Sequence, residues 1–262
     1  MDNNLSIRAR EEKISRAEAY IKTNAQAIYP WLALSRRMRS YSFSNVMTVV
    51  AQSDGRAREV HGYREWEAMG APPFPNAIPI KVWIWDKDKR KSFPNDAYDI
   101  SQTPFRRYPE RGVPKGKRWY VLENLIRDCT TISLKQGRAF SFSDHEIIWA
   151  ESEDVENRMK KVLFALFFLG LTIIKDDPRK NYWLHKRNLT RNEANVLSTA
   201  AAVTAGYFFG FDWRMTPQQE AKFQSEPRFY LEGAHSLSRT VLYAASSICI
   251  EEGILLRNPA EG

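Results

Sequence analysis

Six consecutive residues, Ile80-Lys81-Val82-Trp83-Ile84-Trp85, alternate strictly, and all but Lys81 are β-branched or aromatic. Period two with that composition is the pattern of a strand. The four prolines from Pro72 to Pro79 exclude regular structure just before it. Beyond it, the charged run Asp86 to Lys91 reads as a hairpin tip and Ala97 to Ile100 as a return strand. The N-terminal half therefore contains an antiparallel sheet and cannot be all helical. In that strand Lys81, Trp83 and Trp85 share one face, and Val82 and Ile84 share the other.

Helical spacing dominates elsewhere. Residues 5–27 place Leu5, Ile14, Ala17, Ile21, Ala25 and Ile28 opposite Arg8, Glu11, Glu12 and Arg16, an amphipathic helix. A second piece runs from Trp31 to Arg39, and a third from Tyr41 to Gln52 with Ser42 or Ser44 as its cap. Tyr63 to Trp66 reads as a helical turn ending near Gly70. After residue 120 the pattern is helical at Leu122–Leu134, Val155–Leu171, Glu193–Phe211 and Ser236–Leu256. The expected fold class is α+β, with a small sheet-bearing unit at 1–120 and a mainly helical unit at 121–262.

The longest apolar run, Val162 to Ile174, has 13 residues. A spanning helix needs roughly 18, so this is a buried core helix. The polar, charged N-terminus is not a signal peptide, and a cytoplasmic location is expected. Two cysteines, Cys129 and Cys249, with no CxxC, exclude a disulfide framework and a zinc ribbon.

Charge divides the chain more sharply than hydropathy. Residues 1–120 hold 22 Lys and Arg against 13 Asp and Glu, a surplus of +9, whereas residues 121–262 come to −1. The basic half also holds Trp31, Trp66, Trp83, Trp85 and Trp119. Cations attract phosphate and aromatic faces stack on unpaired bases; the same residues also suit an aromatic core beneath a solvated basic face. Arg36, Arg37 and Arg39 close a helix, where cations also suit its dipole. The Pro- and Gly-punctuated loop of residues 103–118 carries Arg106, Arg107, Arg111, Lys115, Lys117 and Arg118, and is a linker or a phosphate-contacting segment.

Catalytic signatures are missing. His145-Glu146 begins like HExxH, but Trp149 stands where the second histidine is needed. His185 lies beside Lys186 and Arg187, a setting that suits exposure or phosphate. There is no GxSxG and no GxxxxGK[ST]. Residue chemistry points to a protein that is not an enzyme and needs no cofactor or metal.

Four segments in order carry a resemblance: Tyr41-Ser-Phe-Ser-Asn45 through Gln52, Val60-His-Gly-Tyr-Arg-Glu-Trp66, Ile78 through Trp85, and Tyr98-Asp-Ile-Ser-Gln-Thr103. Together they resemble the N-terminal domain of ArdC-type antirestriction proteins, shared with conjugative-plasmid primases and LtrC-like proteins, over about residues 5–105. The resemblance implies a single-stranded-DNA-binding domain of a plasmid, phage or other mobile element. Where the family has a basic segment before the strand, this chain has Ala71 to Asn76. Lys81, Lys87, Lys89, Arg90 and Lys91 are the cations available to replace it.

In such proteins the C-terminal half resembles a zinc metallopeptidase. Asn192-Glu193-Ala194 is similar to its second motif, but Ala165, Leu166 and Leu169 stand where HExxH would place its ligands and base. This implies a zincin-like domain lacking HExxH, with no metal and no catalytic residue. The expected DNA contacts are Arg36, Arg37, Arg39, Lys81, Lys87, Arg106 and Arg107 on phosphates, with stacking drawn from Tyr41, Tyr63, Trp66, Trp83 and Trp85. Ser42, Asn45 and Gln102 join them as polar contacts; Asn45 and Gln102 equally suit a role in satisfying the main chain. The expected partner is single-stranded DNA, and the alternative is a host defence enzyme bound by the pseudo-peptidase half.

Overall fold

The computed structural model describes residues 3–38, 40–86, 88, 91–105, 112–175 and 188–254. The chain is α+β and divides into two compact units, Met1–Tyr108 and Pro109–Gly262.

The first unit begins with α1 (Asn3–Thr23), which buries Ile14, Ala17 and Ile21 at three- and four-residue spacing. Asn24 then accepts a hydrogen bond from the Gln26 amide and starts a 3-10 turn leading into α2 (Ile28–Arg37). Pro30 sits in the first turn of α2, where no amide donor is needed. Helix α3 (Phe43–Ser53) is capped by Ser42, whose hydroxyl accepts from the Asn45 amide. It ends at Asp54 and Gly55, both at positive φ. Strands β1 (Val60–Gly62), β2 (Ile80–Asp86) and β3 (Lys91–Asp99) form an antiparallel sheet in the order β1-β3-β2. The return strand starts earlier than its sequence pattern shows, because Pro94 is accommodated opposite Trp83. The short helix α4 (Tyr63–Ala68) follows β1 directly, with the Glu65 carboxylate accepting from the Gly62 amide. Val60, Ile80, Val82 and Ala97 are buried with α3, whose Val46, Met47, Val49 and Val50 complete the core.

The second unit contains a sheet that helical periodicity does not reveal. Helix α5 (Arg118–Cys129) stops where the Thr130 hydroxyl donates to the Ile126 carbonyl and accepts from the Ile132 amide. The helix expected over Leu122–Leu134 therefore ends at Cys129, and β4 (Ser133–Gly137) begins within its expected span. Strand β4 runs parallel to β6 (Glu146–Ala150), and β5 (Ser141–Ser143) pairs antiparallel with β6. Helix α6 (Val155–Lys175) contains the apolar run and buries Met159, Val162, Leu163, Ala165, Leu166, Phe167, Leu169 and Leu171.

Helix α7 (Arg191–Gly206) packs between α6 and the long α9 (Pro227–Glu251). From Val196 onward α7 is buried all round, and Ala200-Ala201-Ala202 allow its neighbours close approach. Between α7 and α9 lies α8 (Pro217–Ser225), capped by Thr216 with Gln219 answering in a capping box. Among the described residues, no helix is long and apolar enough to cross a membrane.

Candidate functional site

The resembling segments of the first unit mostly spend their polar groups on the main chain. Asn45 donates through Nδ2 to the Trp83 carbonyl and accepts at Oδ1 from the Trp83 amide, both at 2.8 Å. Two turns along α3, Gln52 makes the same pair with Lys81, at 2.8 Å and 3.1 Å. β2 is an outer strand, so these two amides close part of an edge that would otherwise lack partners. Asp99 is buried and accepts from the amides of Arg58, Glu59 and Ser101. Gln102 accepts from the Asp99 amide and donates to the Ile78 carbonyl at 2.6 Å. For Asn45 and Gln102, the structure thus shows the main-chain role.

The expected stacking residues separate by burial. Trp66 is fully buried, donates through Nε1 to the Tyr98 carbonyl, and meets the His61 ring edge-on at 4.9 Å. It presents no free face to a base. Trp83 is half-buried, whereas Trp85 on the same face of β2 is 58% exposed. Tyr63 is exposed at the start of α4, with its ring against that of Tyr98 at 6.4 Å. His61 and Tyr98 are register partners, and Tyr98 and Asp96 alternate on the face that carries Lys81, Trp83 and Trp85. Lys81 is exposed and paired with Asp96 across the strands. This face brings together one exposed indole, one half-buried indole, two tyrosines and a lysine.

The expected phosphate contacts separate in the same way. Arg36 is buried, which removes it from direct contact with a solvated phosphate. Arg37 donates to the Arg58 carbonyl at 2.9 Å. Burial lowers its pKa, with Glu59 opposing. Tyr41 is half-buried, and its hydroxyl is pushed up to about 12 by burial and then by Glu65 and Glu59. Ser42 is exposed, but its hydroxyl serves the α3 cap. Arg39, Lys87, Lys89, Arg90, Arg106, Arg107 and Arg111 lie outside the described residues, as do His185, Lys186 and Arg187.

His61 holds two carboxylates. Its Nε2 is 2.8 Å from Glu59, and its Nδ1 is 3.5 Å from Glu65. Burial disfavours the imidazolium, but Glu59 and Glu65 together outweigh burial and raise the pKa.

The second unit shows where the metallopeptidase-like positions fall. Ala165, Leu166 and Leu169 are buried in α6. Glu193 accepts through Oε2 from the Thr190 amide and hydroxyl, at 2.9 Å and 3.0 Å, as the reciprocal half of the α7 capping box. Its Oε1 lies 3.8 Å from Lys222. His145 is exposed in the turn before β6, not on a helix, and Glu146 is paired with Lys135. His235 is buried within α9. Among the described residues, no three His, Cys, Asp or Glu side chains are placed to hold a metal ion. An open cleft of about 610 Å³ is lined by Arg191, Asn192, Asn195, Thr216, Gln218 and Gln219, with Arg191 the one charged side chain among them.

Two features carry no sequence signal of their own. Phe93 is exposed directly across the hairpin from Ile84 and is identified only by register. Arg158 lies 3.9 Å over the Trp149 ring and 5.1 Å from that of Trp119, a packing cluster built from three separate segments.

No family model and no curated protein sequence matches the chain. Its fold is similar to the Mn(II)-bound crystal structure of the antirestriction protein ArdC from plasmid R388, with a TM-score of 0.51 and 9% identity over 91% of this chain and 97% of that one. The metal-free ArdC structure is matched at a TM-score of 0.41 and 8% identity, over 80% and 86% of the two chains. The similarity is one of fold: the chain adopts the α+β architecture of ArdC with almost none of its sequence.

Proposed function

We propose that the chain is a non-catalytic, single-stranded-DNA-binding protein with an antirestriction role, carried by a mobile element. The observation that carries this reading is the β2 face. Lys81, Trp83 and Trp85 share it, and Trp85 offers an open stacking surface within the basic half of the sequence. Such a face binds unpaired bases with little regard to sequence, because every base has a π surface. The fold similarity to ArdC, an antirestriction protein, supports the biological role. The non-catalytic part of the proposal draws on Glu193, whose carboxylate is engaged in a helix cap, and on the apolar residues at 165, 166 and 169.

Fluorescence anisotropy with single-stranded and duplex DNA across a salt series tests the proposal. Contact with about four phosphates gives log K against log salt a slope near −3 for single strands. Trp85→Ala is expected to weaken single-strand binding by roughly 1–3 kcal/mol. Absence of salt-dependent single-strand binding would move the role to a protein partner, such as a host defence enzyme.

A further inference from the structure

The β2–β3 hairpin exposes apolar side chains on both of its faces at its far end. Ile84 and Phe93 stand opposite each other across the two strands, 42% and 39% exposed. Trp85, the next residue on β2, lies on the other face and is 58% exposed. Nearer α3 the same strands bury Ile80, Val82 and Ala97. The hairpin thus continues past the core that supports it, as a blade with an aliphatic–aromatic pair on one side and an indole on the other.

We infer that this hairpin recognises the junction between single- and double-stranded DNA, acting as a wedge. The inference rests on the single-strand reading above and adds a second surface to it. At a junction two apolar surfaces are open at once: the face of the last base pair and the face of the first unpaired base. Ile84 and Phe93 pack on the base pair, as apolar wedges do at base steps, and Trp85 stacks on the unpaired base. Three phosphate backbones converge there, and the first unit, with 18 Lys and Arg against 12 Asp and Glu in residues 1–108, carries a surplus of +6 that is complementary to them. A second copy of this chain would bring like charge to the hairpin, and a flat contact would cover one side of the blade and leave the other in water.

The test uses the intact chain and three labelled DNAs at one salt concentration: a single strand, a blunt duplex, and a fork whose unpaired arm equals the single strand in length. The fork is expected to bind at least fivefold tighter than the single strand. The Ile84→Ser/Phe93→Ser double variant is expected to keep single-strand binding within twofold and lose the fork preference. Phe93→Thr alone, which retains strand propensity, reduces that preference and serves if the double variant does not fold. Equal binding of fork and single strand overturns the wedge and leaves the single-strand reading standing; no binding to either overturns both. Dimerisation in sedimentation that the double variant abolishes assigns the pair to self-association and also overturns the wedge.

Discussion

The Asn45 side chain holds both hydrogen-bonding groups of the Trp83 main chain, 2.8 Å from each, and so stands in for a neighbouring strand. Asn45→Ala leaves an amide and a carbonyl without partners in a largely buried site. The expected cost is about 1–3 kcal/mol, read from the urea midpoint. Asn45→Asp keeps the acceptor for the Trp83 amide but sets a carboxylate against the Trp83 carbonyl, so it is expected to be nearly as destabilising. A neutral Asn45→Ala would overturn the edge-closing role.

Trp66 and Trp85 are expected to part company under mutation. Trp66→Ala empties a fully buried site and removes the bond to the Tyr98 carbonyl, for a loss of about 3–5 kcal/mol. Trp85→Ala, at an exposed position, is expected to stay within about 0.5 kcal/mol of the parent in stability. Chemical denaturation of both variants checks the pair, and a large loss in Trp85→Ala would mean that this indole is core.

The His61 interactions give stability a definite pH dependence. The folded-state pKa of His61 is raised above its ordinary value of 6.5, because Glu59 and Glu65 outweigh burial. The charged imidazole therefore contributes fully below about 6.5, where the unfolded histidine is also protonated, provided the carboxylates remain ionised. That contribution is lost as pH rises through the raised folded value. His61→Gln is expected to flatten the melting temperature between pH 5.5 and 8.5, and to cost most at the acid end of that range. The same curvature in parent and variant would assign the pH dependence elsewhere.

Glu193 separates a helix cap from a metal ligand. Gln can occupy the third position of a capping box, so Glu193→Gln is expected to preserve most of the stability of α7. Glu193→Ala removes the acceptor for the Thr190 amide and is expected to cost about 0.5–2 kcal/mol. Added Mn(II) is expected to leave the melting temperature unchanged, since binding to the folded state alone would raise it. A metal-dependent rise that Glu193→Gln abolishes would reinstate a metal site.

The alternation of Ile80 to Trp85 was enough to read β2 and which of its residues share a face, because one strand period covers all six residues, whereas the return strand was legible only at Ala97 to Ile100 although β3 begins at Lys91. Which face lies in the core was not legible, since that depends on α3, whose Val46 and Val50 pack from another part of the sequence. The same holds for Trp66 and Trp85, chemically identical side chains separated only by what packs on them. Strand β5 is three residues long, too short for a period to show, and β4 hides behind the helical spacing of α5. Helix α8 was legible in principle, for Thr216-Pro217-Gln218-Gln219 is a capping box with proline at the first helical position. Asn45 and Gln52 were visible as polar residues seven apart on one helix, but nothing local shows that Trp83 and Lys81 are what they hold.

With the Lys81 and Trp83 main chains already taken by α3, a peptide adding itself to the first sheet finds that stretch of β2 closed. A protein that joins this chain through strand addition is directed instead to the other outer strands, β1 in the first sheet and β4 or β5 in the second. The closed edge thereby leaves that stretch of β2 its side chains to offer, and any shared sheet is built elsewhere.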